Sequence, residues 1–159
     1  MAAASFEALC AGFCEIARVP VPVLSADEFG RVAFHVVLRG VTVNVVHCES
    51  ASADHVFLFF DLGALPASGP GGVGALQALL DGNFMLAHPT PVFARNPSNG
   101  NGVVKQVYSL FEATPSGLHQ LVGEGIERVT RWREQLADAD TSAAADSQQA
   151  FCADLMNRA

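Results

Sequence analysis

The chain has 159 residues, of which 50% are hydrophobic and 16% are charged, with a formal net charge of -7 and a pI near 5.0. This length suits a single domain whose core needs no disulfide or metal, and the acidic balance argues against nucleic-acid and anionic-membrane partners, which select basic surfaces. Because the charged share is below the roughly 25% typical of globular proteins, we expect surplus apolar surface to form a dimer interface or to bind a partner.

The sequence predicts a cytosolic protein. Residues 1–4 lack a basic segment and glutamates interrupt the apolar start, so no secretory signal is expected. The longest charge-free stretch, 62–80, contains Pro66, Pro70 and several glycines, which disfavour a membrane span. The cysteines lack both a C-x-x-C spacing and matching histidines, so we interpret them as buried small hydrophobes; they are Cys10, Cys14, Cys48 and Cys152.

The first predicted element is an amphipathic helix over residues 5–17. Apolar residues recur at the i, i+3, i+4 and i+7 spacing that places them on one face, and Pro20 and Pro22 end the helix. Its apolar face consists of Phe6, Leu9, Cys10, Phe13, Ile16 and Ala17.

Three antiparallel strands follow, and the other elements are predicted to pack on them. Residues 31–39 and 41–48 alternate between two sides, with Gly40 at the hairpin. A polar run at 49–54 predicts a second turn, and 55–61 is so apolar that we expect both faces of this strand to be covered. One side of the first strand consists of Val32, Phe34, Val36 and Leu38.

The middle of the chain predicts a flexible linker over 63–74 and a second helix over 75–87. Apolar residues nearly surround this helix, so we expect a second subunit to cover part of it. A short strand at 92–95, a loop rich in turn formers and a longer strand at 103–111 complete the sheet.

The last helix is predicted to begin with Thr114 as N-cap and Pro115 at its first position, and to end near Leu136. Trp132 lies on its apolar stripe, and we interpret it as a packing anchor. The domain organisation predicted is one domain over 1–137, followed by a mobile acidic tail over 138–159 that is rich in Ala, Ser and Gln.

No sequence pattern indicates a catalytic site, and the chain is predicted to be an α+β binding domain without metal or cofactor. The histidines lack metal-ligand spacing, and no nucleophile motif is present. Only His35 and His47, which the first hairpin could bring near each other, offer a pair for ligand or enzyme chemistry.

The order helix, three strands, helix, two strands, helix resembles that of the class I type III secretion chaperones, the CesT-like (Tir chaperone) family. The resemblance covers about residues 5–137 and departs from the family at 88–91, where a glycine-rich turn is usual, and in the tail. The strings that resemble the family's pattern are Ala17-Arg18-Val19-Pro20, Leu79-Leu80-Asp81-Gly82-Asn83-Phe84, Phe93-Ala94-Arg95-Asn96-Pro97 to Leu110, and Thr130-Arg131-Trp132-Arg133-Glu134-Gln135-Leu136.

This resemblance implies a homodimeric, non-enzymatic chaperone of the bacterial cytoplasm with the order α-β-β-β-α-β-β-α. It would bind an extended N-terminal segment of one or more secreted effectors and deliver it to the secretion apparatus, including its ATPase. From apolar periodicity and the family's use of these elements, the effector groove is predicted to be Phe6, Leu9, Phe13, Ile16, Val32, Phe34 and Val36. The dimer interface predicted in the same way is Leu76, Leu79, Leu80, Phe84, Val107 and Tyr108.

Two alternatives stay open at this point. The same fold could serve as a regulatory or assembly partner of a folded protein, which would bind without needing a disordered N-terminus. The chain could also be a small-ligand-binding or enzymatic α+β domain that uses His35 and His47.

Overall fold

The computed structural model describes residues 5–65, 69–85 and 91–156, and the side chains within 5–65, 71–84 and 91–135. Its centre is one antiparallel sheet of five strands: β1 Arg31–Leu38, β2 Val41–Cys48, β3 Ala53–Ala64, β4 Val92–Arg95 and β5 Asn101–Ser109. Their order in the sheet is β1-β2-β3-β5-β4, so β1 and β4 are the edge strands. The predicted α+β class and order of the main elements are confirmed.

A two-residue turn fixes the register of β1 against β2. Arg39 and Gly40 have φ values of 51° and 74°, which matches the left-handed conformation that a tight hairpin turn requires. Leu38 then pairs with Val41, and the register continues to Arg31 opposite Cys48. This register places Phe34 beside Val45, both of them buried, as the alternating sequence predicts.

Two helices cover one face of the sheet, which we call the inner face. They are α1 Phe6–Ala17 and α4 Pro115–Met156, while α2 Glu49–Ser52 is a single turn and α3 Gly69–Met85 packs beside β4. The inner face and these helices form one core that contains Phe13, Leu58, Phe60 and Leu118. Burial of that apolar surface is the main force that holds the helices on the sheet.

Both covering helices begin with the side-chain caps that the sequence favours. The Ser5 hydroxyl accepts a hydrogen bond from the Ala8 backbone N–H at 3.2 Å. The predicted cap of the last helix is confirmed, because the Thr114 hydroxyl accepts from the Gly117 N–H at 3.0 Å and Pro115 is the first helical residue. Each cap satisfies one backbone donor that the helix itself leaves unpaired.

Arg133 joins α4 to the sheet. Its guanidinium donates to the backbone carbonyls of Leu62, Gly40 and Asp61 at 3.1, 3.1 and 2.9 Å. Asp61 and Gly63 flank a register shift in β3, so the arginine ties the helix to the β1–β2 turn and to this irregular part of the strand. Trp132, the preceding residue, is buried with its ring centroid 5.2 Å from that of Phe93, which confirms its predicted packing role.

Several boundaries differ from the predictions. The glycine-rich segment expected to be linker up to residue 74 is helical from Gly69. Packing of the later turns of the helix offsets the low helix propensity of these glycines. Strand β5 runs from Asn101 to Ser109 rather than over 103–111. Helix α4 continues past Leu136 to Met156, while the predicted mobility of the tail stays a prediction. Residues 86–90, the predicted end of the second helix and most of the departure at 88–91, lie outside the described residues.

Candidate protein-binding surfaces

The predicted effector groove is brought together by the fold, but most of it lies inside the core. Phe6, Leu9 and Phe13 of α1 pack on the inner face, and the Phe34 ring centroid lies 6.3 Å from Phe6 and 6.1 Å from Phe13. Direct contact with a partner would require α1 to separate from the sheet. The members buried in this way are Phe6, Leu9, Phe13, Phe34 and Val36, whereas Val32 is half-buried and Ile16 is exposed.

The second helix, α3, keeps an apolar stripe in solvent. Leu80 and Phe84 are 68% and 88% exposed, and they continue a line that begins with Val73 and Leu76. The spacing of these residues, three or four apart, places them on one helix face. Leu79 points the other way and is buried in the core, where it holds α3 to the domain.

The last two residues of the predicted dimer interface lie on opposite faces of β5. Tyr108 is half-buried on the inner face, and its hydroxyl accepts a hydrogen bond from the Thr114 N–H at 3.2 Å. Tyr108 therefore has a structural role at the start of α4. Val107 is half-buried and pairs with Phe57 of β3.

The face of the sheet away from α1 and α4, here called the outer face, is apolar at its centre and was missed by the sequence analysis. Val46, Phe57, Phe59 and Val103 are all half-buried there. The double-sided apolar pattern of β3 was the available signal, but it predicted a strand covered on both faces. In the protomer the buried residues of β3 lie on one side, and Phe57 and Phe59 are only partly covered.

A cavity opens on this outer face. It has a volume of about 590 Å³ and reaches from β1 across the sheet to the β4–β5 turn. Phe59, Val46 and Val103 give it an apolar floor, while His35, Asp61 and Arg95 supply polar groups. Such a combination suits a peptide, because apolar side chains can be buried while the backbone and polar residues find hydrogen-bond partners.

The edge of the sheet at β1 adjoins this cavity. Its beginning is covered, because Ala26 forms a bridge with Val32 and the Asp27 N–H donates to the Arg31 carbonyl at 2.9 Å. Asp27 also forms an ion pair with Arg31 at 2.7 Å. Farther along the strand, His35 is exposed and Val37 is 62% exposed, so this part of the edge is accessible.

The histidine pair of the enzymatic alternative is not assembled. His35 pairs with Asn44 and is exposed on the outer face, whereas His47 stacks on Phe6 at 5.3 Å beside the inner face. His47 Nδ1 lies 3.1 Å from the His55 carbonyl. The two side chains therefore cannot act on one substrate, since the sheet separates them.

The cysteines divide into two environments. Cys10 and Cys14 are buried in the core as predicted, and burial raises the pKa of both thiols. Cys48 is only half-buried, and a hydrogen bond from Ser50 lowers its pKa, so the prediction of a buried side chain is wrong for this residue. Cys152 lies outside the described side chains. Across the parts of the chain that the structure describes, no group of three His, Cys, Asp or Glu residues is placed to hold a metal.

Taken together, a sheet covered on one face, an exposed helix stripe and an accessible sheet edge define a small α+β domain with apolar surface available for other protein chains. The chain belongs to the Tir chaperone protein (CesT) family, whose model matches residues 17–133. A search of curated protein sequences finds no match to this chain. Within 5–65, 69–85 and 91–156, no helix has the length and apolarity needed to cross a membrane.

Two solved structures of low sequence identity share the fold, and a third matches more weakly. The first is similar to this chain with a TM-score of 0.66 and 17% identity, covers 82% of this chain and 92% of its own, and is described as the ExsC-ExsE complex. Another, the HopA1-SchA chaperone-effector complex, has a TM-score of 0.55 and 13% identity over 81% of this chain and 93% of its own. A chain of the ExoT-SpcS complex from Pseudomonas aeruginosa matches with a TM-score of 0.49 and 13% identity, covering 82% of this chain and 95% of its own.

Proposed function

We propose that this protein is a type III secretion chaperone of the bacterial cytoplasm. It binds an extended N-terminal segment of one or more secreted effectors, keeps that segment soluble and competent for export, and delivers it to the secretion apparatus and its ATPase. Membership of the Tir chaperone family over residues 17–133 carries this proposal. The apolar surfaces left open in the protomer support it, because monomeric soluble proteins rarely expose large contiguous apolar patches.

A homodimer is the proposed working form, and the exposed stripe of α3 is its proposed interface. Of the predicted interface residues, Leu76, Leu80 and Phe84 have side chains in solvent, and Val73 extends the same stripe. A helix face of this kind is stabilised when a second copy presents the same face to it, as two-fold symmetry requires. The other three predicted residues do not lie on this stripe. Leu79 is buried in the core of the protomer, and two half-buried residues belong to β5: Val107 and Tyr108.

The outer face and the free part of β1 are the proposed effector site. An extended segment loses conformational entropy when it binds, so it needs both apolar burial and backbone hydrogen bonds. Phe57 and Phe59 offer the apolar surface, and the β1 edge near Val37 offers unpaired backbone groups for an added strand. The predicted groove on α1 lies behind this sheet and supports it from the inner side, with Ile16 and Val32 as its accessible members.

Affinity capture from a lysate of the native host, combined with light scattering of the purified protein, tests this function. We expect a dimer that carries one or a few secreted proteins and that loses them when their N-terminal segments are deleted. Phe59→Thr should abolish capture without changing the dimer, because threonine keeps the strand but removes the apolar floor. Phe111→Thr is the matched control, since Phe111 is an exposed phenylalanine outside the sheet.

Two outcomes would contradict the proposal. If the captured protein still binds after its disordered N-terminus is deleted, the fold serves as a regulatory or assembly partner of a folded protein. If Phe111→Thr abolishes capture and Phe59→Thr does not, the effector site lies elsewhere on the molecule.

A further inference from the structure

The second edge strand, β4, is covered by α3, and a single side chain of that helix pairs with its backbone. The Asn83 amide donates to the Phe93 carbonyl at 2.8 Å, and its carbonyl oxygen accepts from the Phe93 N–H at 2.7 Å. The opposite side of β4 pairs with β5, where Phe93 is opposite Val104. Asn83 therefore occupies both backbone groups that Phe93 directs away from the sheet, in the position that a strand of another chain would take.

The surrounding contacts hold Asn83 in this position. Leu79, one turn earlier in α3, is 3% exposed and anchors the helix in the core. Gly82 lies directly against the Phe93 ring, where an added Cβ would be 3.2 Å from Cδ2. The helix backbone thus approaches β4 closely enough for a short side chain to reach it. A primary amide carries both a donor and an acceptor, so asparagine can replace the peptide group of a neighbouring strand.

Among the described residues, no side chain pairs with the outward backbone groups of β1 beyond its first residues. Because the Arg39-Gly40 turn closes on a hydrogen-bonded pair of Leu38 and Val41, alternate residues of β1 direct their backbone groups outward. Arg31 has this parity, and its carbonyl accepts from the Asp27 N–H. The backbone groups of His35 and Val37 also point outward. Within the part of the chain that the structure describes, no backbone hydrogen bond outside the helices and strands involves these groups.

We propose that Asn83 determines which edge of the sheet accepts a strand from another chain: it closes β4, so that β1 is the edge left open. Without this side chain, α3 loses its hydrogen bonds to β4, and whenever the helix moves aside β4 presents the N–H and C=O of Phe93 as a template on which a second copy of the protein could pair. This role of Asn83 involves the protein alone and can be measured without an effector, so it is independent of the proposed function.

The test compares the full-length protein with its Asn83→Ala variant. At concentrations too low for association, we expect hydrogen exchange of the Phe93 amide to become about tenfold faster, as loss of one hydrogen bond would produce. We also expect reversible, concentration-dependent association beyond the wild-type mass in light scattering. Adding Arg95→Pro should reverse this association. The backbone groups of Arg95 point away from β5 like those of Phe93, and proline cannot donate a hydrogen bond to an added strand. Adding Val37→Pro on β1 should not reverse it.

The proposal is overturned if Asn83→Ala keeps the wild-type mass at every concentration, or if the Phe93 amide of the dilute, unassociated variant exchanges at the wild-type rate. Reversal by Val37→Pro instead of Arg95→Pro would also overturn it, since the new contact would then use β1. Should the alanine variant fail to fold, Asn83→Asp provides the same test. Aspartate still accepts from the Phe93 N–H but cannot donate to its carbonyl, so weaker association reversed by Arg95→Pro supports the proposal and unchanged mass refutes it.

Discussion

Helices α1 and α3 have similar apolar content but opposite placement. The aromatic residues of α1 point into the core, and Phe13 is completely buried under α4 and the sheet. On α3, Phe84 is 88% exposed, and only Leu79 and Ala75 are buried among the described side chains of the helix. The same residue type therefore stabilises the protomer in one helix and leaves a free apolar surface in the other.

This difference separates folding residues from binding residues. Apolar periodicity identifies the face of a helix that avoids water, but it does not identify what covers that face. For α1 the cover is the chain's own sheet and α4, where Phe13 packs close to both Phe34 and His119. For α3 the cover is the proposed second copy.

The largest expected effect contrasts Phe13→Ala with Phe84→Ala. Removing a fully buried phenylalanine costs about 3–5 kcal/mol, a large fraction of the stability of a domain of this size. We therefore expect Phe13→Ala to lower the free energy of unfolding by that amount at every protein concentration. Phe84→Ala should lower it only at concentrations where the dimer forms, because binding stabilises the folded state by mass action.

Chemical denaturation at several protein concentrations measures both variants. Equal losses for Phe13→Ala and Phe84→Ala at low concentration would remove the distinction between the two helices. The same reasoning makes a charged substitution at Phe13 a poor probe of effector capture, because it would unfold the core before any effect on binding could be measured.

Much of this architecture was predictable from the sequence, and the reasons are local. Alternation in β1 and β2, the hairpin at Gly40 and the cap at Thr114 depend on residues that are close in the chain, so short patterns were sufficient. The start of α3 at Gly69 was missed because its glycines favour a loop, and packing of the later turns decides the outcome. The open outer face was missed because only the three-dimensional arrangement shows that both helices lie on one side of β3.

The next effect concerns association. We expect Leu80→Asp to raise the dissociation constant of the dimer by at least about 30-fold, which corresponds to about 2 kcal/mol for a central apolar contact. The thermal midpoint of the dissociated protomer should not change, because Leu80 is 68% exposed and makes few contacts within it. Sedimentation velocity over a concentration series measures the constant.

Asp81→Asn is the matched control for this substitution. It changes the charge of the adjacent exposed residue of α3, off the apolar stripe, and should leave the dissociation constant within about threefold of the wild-type value. A monomeric wild-type protein at high concentration would instead show that the α3 stripe is not a homodimer interface.

A smaller effect distinguishes the two helices by their glycines. A Cβ at Gly12 of α1 would lie 2.5 Å from Pro115 Cγ and 2.9 Å from its Cβ, so Gly12→Ala should destabilise the protein by about 1–3 kcal/mol. A Cβ at Gly74 of α3 meets nothing within 4 Å, and alanine there should stabilise by up to about 1 kcal/mol through helix propensity. Urea denaturation of both variants gives the signs, and stabilisation by Gly12→Ala would contradict the tight packing of α1 against α4.

The smallest effect is a pH dependence at the start of α1, a feature that α3 lacks because its first turn has no acidic residue. The Glu7 backbone N–H and the Ser5 hydroxyl hold the pKa of the Glu7 carboxyl below its usual value. A carboxyl with a lowered folded-state pKa stabilises the protein above its unfolded-state pKa, and this contribution disappears as the pH falls through the folded-state value. Compared with Glu7→Gln, the wild type should therefore be more stable at pH 7 by about 0.3 kcal/mol, the low end for an exposed charge at a helix N-terminus, and equally stable at pH 2.

Ser5→Ala should weaken the pH dependence and also cost about 1 kcal/mol through loss of the cap. A constant difference between wild type and Glu7→Gln from pH 7 to pH 2 would show that the glutamate acts through packing and not through its charge.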